Sequence, residues 1–152
     1  MARFTIITVL CSTLLASCGG DEEKQTTDTN ELLGTWKVAC FMDDSDPDDI
    51  EYFTDTYEFK AEIINVNFIL YASSACEKEV FSGSRQLSYV IGDKFKTAAG
   101  NEVTNIDITM PDGEVALNVF KVEQSYLYFG EERSDNLRPN IIDFTKWYEK
   151  QY

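Results

Sequence analysis

The chain has no histidine, and its 13 Lys and Arg are outnumbered by 27 Asp and Glu, for a net charge of −14. Without an imidazole, Ser-His and Cys-His nucleophile arrangements are excluded. With so few cations, a nucleic-acid surface is excluded as well, because phosphate binding needs a basic face to release counterions. The same shortage argues against adsorption to anionic lipid headgroups. No Gly-rich phosphate loop of either common type is present. Paired carboxylates could in principle serve a glycosidase, but acids this numerous fall into pairs by chance. The expectation is a non-enzymatic protein without a cofactor. Long helical patterns are missing too, since nowhere do ten residues hold an apolar stripe of helical period.

What is present begins at the N-terminus. Arg3 supplies a positive end, Phe4 to Leu15 is an apolar run broken only by Thr and Ser, and Ala16-Ser17 precede Cys18. The run is too short for a membrane-crossing helix, which needs roughly 20 apolar residues, and it has the anatomy of a secretory leader. Leu14-Leu15-Ala16-Ser17-Cys18 resembles the lipobox of bacterial lipoproteins. That resemblance implies cleavage before Cys18, lipidation of Cys18, and attachment to the cell envelope. Gly19 rather than an aspartate follows the cysteine, which in the enterobacterial sorting scheme permits transfer to the outer membrane, facing the periplasm or the cell surface.

Once Cys11 is discarded with the leader and Cys18 carries lipid, Cys40 and Cys76 remain of the four cysteines. An even remainder in an oxidising envelope reads as one disulfide. A structural zinc site would require four close ligands.

Three regions follow: a signal peptide over 1–17, the lipidated Cys18 with an acidic tether over 18–31, and a folded domain over 32–152. Gly19 to Glu31 (GGDEEKQTTDTNE) has no apolar residue and nothing to bury. As a flexible coil these residues span about 20 Å. From Leu32 onward, short β-prone runs alternate with turn residues. Trp36, Val38 and Cys40 share one face of a first strand by period two. Phe53, Asp55, Tyr57 and Phe59 share a face of the next, and Ile64, Val66, Phe68 and Leu70 do so on a third. Val80 to Ile91 gives a further strand, with Leu87, Tyr89 and Ile91 in phase and Gly83 a bulge or bend. Pro111-Asp112-Gly113 joins the clearest hairpin. There Ile106, Ile108 and Met110 face one way, as do Val115, Leu117 and Val119. Ser125 to Gly130 is a short aromatic strand, and Ile141 to Tyr152 an aromatic tail of open form. Seven or eight short strands predict an all-β antiparallel meander closed as a small barrel, with a sandwich as the second solution.

Gly34-x-Trp36 on the first strand looks like the opening motif of lipocalins, whose tryptophan plugs the closed end of an eight-stranded barrel. Several features in order resemble small lipocalin-like lipoproteins of Gram-negative bacteria: Gly34-Thr35-Trp36, Cys40, Tyr57-Glu58-Phe59, Tyr71 then Cys76, Leu127-Tyr128-Phe129-Gly130, Ser134-Asp135 and Arg138-Pro139. A fainter resemblance runs to the adenomatosis-polyposis-down-regulated-type domain of animal Wnt antagonists. Those domains carry an Arg-Pro-Gly-Pro stretch where this chain has an Asp-rich loop.

The lipocalin likeness implies Trp36 as the barrel plug and a small apolar or lipid ligand at the opposite mouth. The expected pocket is shallow and apolar, with Phe68, Leu70 and Tyr89 in its wall. The alternative is a protein–protein module of the envelope, its acidic surface meeting a basic partner. Asp43, Asp44, Asp46, Asp48 and Asp49 form an acidic loop, but Asp48 stands where an EF-hand needs glycine, so no metal site is assigned.

If Cys18 carries the anchor, Cys18→Ser releases the protein from the membrane. Detergent-phase partitioning reads this directly, and a variant that stays in the detergent phase refutes the tether. A lone acyl chain holds only marginally, so stable attachment implies several.

Overall fold

The computed structural model describes residues 31–43, 51–133 and 135–152. The leader, Cys18, most of the tether, Ser134 and all but the first residue of the acidic Asp43–Asp49 loop lie outside the described residues. Nine strands follow in order: β1 Gly34–Val38, β2 Phe41–Asp43, β3 Glu51–Phe59, β4 Ile63–Tyr71, β5 Glu79–Lys96, β6 Glu102–Thr109, β7 Val115–Glu123, β8 Tyr126–Gly130 and β9 Ile142–Gln151. Each pairs antiparallel with its sequence neighbour from β2 to β9, and β1 pairs with both β3 and β9. The sheet therefore closes on itself. β1 and β2 act as one bent strand along β3, so the wall is an eight-stranded up-and-down barrel. No described helix is long and apolar enough to cross a membrane.

The bend between β1 and β2 corrects one expectation. Lys37 pairs with Thr56 and Phe41 with Phe53, so the chain advances four positions on one strand against three on the other. The extra residue is a β-bulge, which reverses the phase of the side chains beyond it. Phe41 thus turns inward to meet Phe53, with ring centroids 3.8 Å apart, while Cys40 leaves the face it was expected to share with Trp36 and Val38. Cys40 is exposed and bonded to Cys76, with a Cα–Cα distance of 5.9 Å. The bridge ties the bulge to the corner between β4 and β5.

The closed end gathers the start of β1, the turn after β3, the turn after β7 and the end of β9. Trp36 is fully buried there, and its indole N–H donates to the Leu32 carbonyl at 2.7 Å. Leu32, Phe59, Tyr89 and Leu127 pack in the same cluster. The Lys150 ammonium sits 5.0 Å from the centre of the Trp36 ring. Above this floor the inward stripes run as expected on β3 and β4, because Phe53, Asp55, Tyr57 and Phe59 pair with Leu70, Phe68, Val66 and Ile64.

Three further expectations change. β5 is longer than its apolar core, continuing through Gly92-Asp93 to Lys96 with an irregularity between Ile91 and Lys94. Gly83 makes a regular pair with Phe68, not a bulge; a Cβ there would meet the Phe68 ring at 2.5 Å, so the glycine makes room for that ring. On β7, Val115 and Leu117 are exposed, and Ala116, Asn118 and Phe120 lie opposite the inward Ile108, Ile106 and Thr104. The hairpin through Pro111-Asp112-Gly113, with Met110 N–H bonded to Glu114 O at 2.8 Å, sets that register. Val119 is buried outside the barrel, in a satellite cluster with Val103 and Ile142. The aromatic tail forms β9 and completes the wall.

The disulfide closes a loop of sequence separation 36. Replacing Cys40 and Cys76 together by Ser should cost about 4 kcal/mol on the chain-entropy account. Denaturant unfolding of the oxidised parent and the double variant measures the difference. A loss well under 1 kcal/mol would mean that the barrel wall already restrains this loop.

Candidate functional site

The open end of the barrel collects the turn after β6, the connection from β8 to β9 and the corner after β4. A cavity of about 460 Å³ opens there. Its inner surface is apolar, built from alternate residues of neighbouring strands: Phe59 on β3, Ile64 and Val66 on β4, Leu87 on β5, Ile108 and Met110 at the end of β6, and Phe129 on β8. That volume falls within the range of pockets that enclose a small molecule. The cavity is less purely apolar than expected, because Arg85 and Lys146 also line it, and Glu114, Glu131, Glu132 and Arg133 stand around its mouth.

Residues 131–133 and 135–141 form one side of the mouth. This side is fastened by Arg138, whose guanidinium donates to the Asn118 carbonyl at 2.6 Å and the Ile106 carbonyl at 3.3 Å and pairs with the Asp107 carboxylate. Pro139 packs where a Cβ on Gly130 would lie, only 2.5 Å from the proline ring. Asn118 Oδ1 accepts from the Gly130 N–H at 3.1 Å where β7 and β8 part. Arg138-Pro139 therefore holds the shape of the mouth. Arg133 is paired with Asp135 and holds that carboxyl down at about 2.

One step inward lies a polar layer. Asp55 is buried on β3, and burial raises its carboxyl above the ordinary value of 3.8, while Lys146 and then Arg85 pull it back down. Beneath it, the Tyr57 and Tyr148 rings stack with centroids 4.9 Å apart and their hydroxyls hydrogen-bond to each other. Burial pushes Tyr57 up to about 12 and Tyr148 well above its usual range, so both phenols stay neutral at any physiological pH. The Lys146 ammonium lies 3.6 Å from the centre of the Phe41 ring, a close cation–π contact.

The residues expected in the pocket wall lie elsewhere. Tyr89 is buried at the closed end, its hydroxyl donating to the Lys60 carbonyl at 2.6 Å. Phe68 packs over Gly83 and beside Phe81, and Leu70 pairs opposite Phe81, both nearer the rim than the cavity. The cavity instead uses Val66 and Leu87, deeper on the same two inward faces, together with Ile108, Met110 and Ala116. Arg85 was not anticipated, although it is in phase with Leu87 and Tyr89, and parity alone points it inward. Lys146 carries no such signal, because it lies within the irregular pairing of β8 with β9 between Ile142 and Trp147. Among the described residues no group of three His, Cys, Asp or Glu could hold a metal ion.

A second hollow, of about 450 Å³, lies where β2 and β9 part, lined by Phe41, Met42, Trp147 and Lys146 among others. β1 stays paired with β9 up to Val38 and Tyr148, whereas β2 pairs only with β3. Comparison with known proteins finds no matching family model, no similar curated protein and no similar solved structure. The likenesses drawn above thus rest on their motifs alone.

The raised Asp55 carboxyl has a consequence for stability. Its contribution is full below the unfolded-state value near 3.8 and is lost as pH rises through the higher folded value. Asp55→Asn should accordingly unfold at higher denaturant than the parent at pH 7, with the difference vanishing towards pH 3. A variant less stable at pH 7 would mean that Arg85 and Lys146 compensate the burial in full.

Proposed function

We propose that this protein is a non-enzymatic lipoprotein of the bacterial envelope, tethered to the outer membrane through Cys18, whose barrel holds one small apolar or lipid-like molecule at its mouth. The tether rests on the leader and the lipobox likeness. The observation that carries the binding reading is the cavity itself. It lies at the end of the closed sheet opposite Trp36 and is floored by apolar side chains. The lack of histidine removes the commonest general base, which supports binding over chemistry. The strands are short, so the ligand enters part-way, and affinity of micromolar order, about 8 kcal/mol, is the scale to look for.

A second reading has its own support. Met42, Val80, Phe81 and Leu137 are large apolar side chains left exposed around the mouth, with Val80 and Phe81 at 60% and 56%. Such a rim, flanked by Glu114, Glu131 and Glu132, also suits a basic protein partner that caps the barrel.

Ala116 offers the discriminating test, because it is small, faces inward opposite Ile108 and lines the cavity. Ala116→Trp should fill the space and weaken binding of an uncharged environment-sensitive probe at least tenfold, with the unfolding midpoint little changed. A folded variant that binds the probe as the parent does places the ligand outside the cavity. A parent that shows no saturable signal at tens of micromolar moves the reading to the protein partner.

A further inference from the structure

The wall is continuous at the floor but parted at one seam. β2 pairs along one edge with β3 and has no strand on the other among the described residues. β9 runs beside β1 only as far as Tyr148, opposite Val38, so residues 142–147 also lack a described strand partner on that side. Within this run the Thr145 N–H turns back to the Asp143 carboxylate at 2.8 Å. Two backbone edges thus border the hollow of about 450 Å³, and such edges are a template for one more strand. The bulge at Ala39-Cys40 turns β2 away from β9, and the Cys40–Cys76 bridge ties it there. Met42 and Trp147 line the hollow while remaining 50% and 46% exposed, and Val38 and Phe41 line it from within. Its charged lining is Glu132, Asp143 and Lys146, two acids to one base. From β2 the sequence runs on through five aspartates between 43 and 49. A second copy of this chain suits the hollow poorly, because a net charge of −14 makes copies repel. Residues 19–31 suit it no better, having no apolar side chain to lay on Met42 and Trp147.

We infer that this seam accepts an extended, basic segment of a protein partner, which adds a strand by main-chain pairing to β2 and β9 and covers Met42 and Trp147 with its apolar side chains. In strand addition the main-chain bonds supply affinity, and alternate side chains supply selectivity. Here the apolar lips select one set of side chains and the surrounding carboxylates the other. The inference goes beyond the cavity reading: it places the partner at the seam, apart from the rim at Val80 and Phe81, and holds whether or not the barrel is filled.

The test uses the full chain carrying Cys18→Ser, with the Cys40–Cys76 bridge intact. The probe is a fluorescein-labelled hexapeptide of alternating lysine and valine, followed by anisotropy. Its control is the same peptide N-methylated at alternate residues, which keeps every charge and side chain but loses main-chain donors. The control should bind about tenfold more weakly than the probe. The probe should also slow hydrogen exchange of amides in 41–43 and 142–147. Met42→Lys should weaken probe binding about tenfold. Val90→Lys, the same change of charge at an exposed site on β5, should leave it unaltered. Ala116→Trp, which fills the cavity, should leave it unaltered too, so failure of the cavity reading and failure of this one are told apart. Equal binding of probe and control reduces the effect to attraction between opposite charges and overturns the inference. Loss of binding in Val90→Lys or Ala116→Trp, or protection at 135–141 and 80–81 in place of the seam, overturns the site. A probe that does not bind at all overturns it as well.

Discussion

Closure of the barrel depends on five residues. β1 is paired along one edge to β3 and along the other to β9, so among the described residues Gly34–Val38 alone joins the two ends of the sheet. Without it, β3 and β9 would each present an open row of backbone donors and acceptors. The strand is short, and its hold comes from what its side chains bury. Trp36 is wholly enclosed, linked to Leu32 by its indole N–H, and Val38 packs into the same core. A single large side chain therefore secures both seams at once. This accounts for Gly34 as well, whose φ of 122° lies in a region that disfavours other residues and lets the chain enter the strand beside Lys150.

What happens one residue beyond β1 shapes the open end. The bulge at Ala39-Cys40 turns the strand away from β9, so the wall that is continuous at the floor is parted at the mouth. The break brings Phe41 inward and sends Cys40 outward to Cys76. The disulfide fixes the outer strand, β2, to the far side of β3 at the height where it no longer has β9 to hold it. On the opposite side of β9, β8 diverges from β7, and the connection fastened by Arg138 occupies that gap. The mouth is thus shaped by two departures from regular pairing, one held covalently and one by a guanidinium.

Much of this was readable from the residues. The all-β meander, the inward faces of β3 and β4, the buried tryptophan and the Cys40–Cys76 bridge all follow from period-two patterns, turn chemistry and cysteine parity. Features that break periodicity did not. The β1–β2 bulge inserts one residue without any glycine to announce it, so Cys40 was placed on the wrong face. The phase of β7 is ambiguous because Val-Ala-Leu-Asn-Val-Phe carries apolar residues in both registers, and Val115 and Leu117 lie outside while Ala116 and Phe120 face inward. β9 was illegible for a different reason: its inward positions include Lys146 and Lys150, which a hydrophobic pattern reads as solvent-facing. Those lysines lie over aromatic rings, Phe41 and Trp36, an arrangement that periodicity does not encode.

The same point bears on how an acidic protein builds a pocket. Its surface has little need of cations for solubility, since a net charge of −14 already keeps molecules apart. Basic residues are then most informative where they face inward. A lysine over a ring and an arginine opposite Val66 are costly in a small barrel unless water or a ligand reaches them, because a charge loses hydration on burial. Arg85 meets that condition by lying in the wall of an open cavity, and Asp55 meets it less well, which is why its carboxyl rises despite two cations nearby. An interior filled only by aliphatic and aromatic side chains would make a more stable plug. The retained charges mark the level at which packing for stability gives way to open space in the barrel.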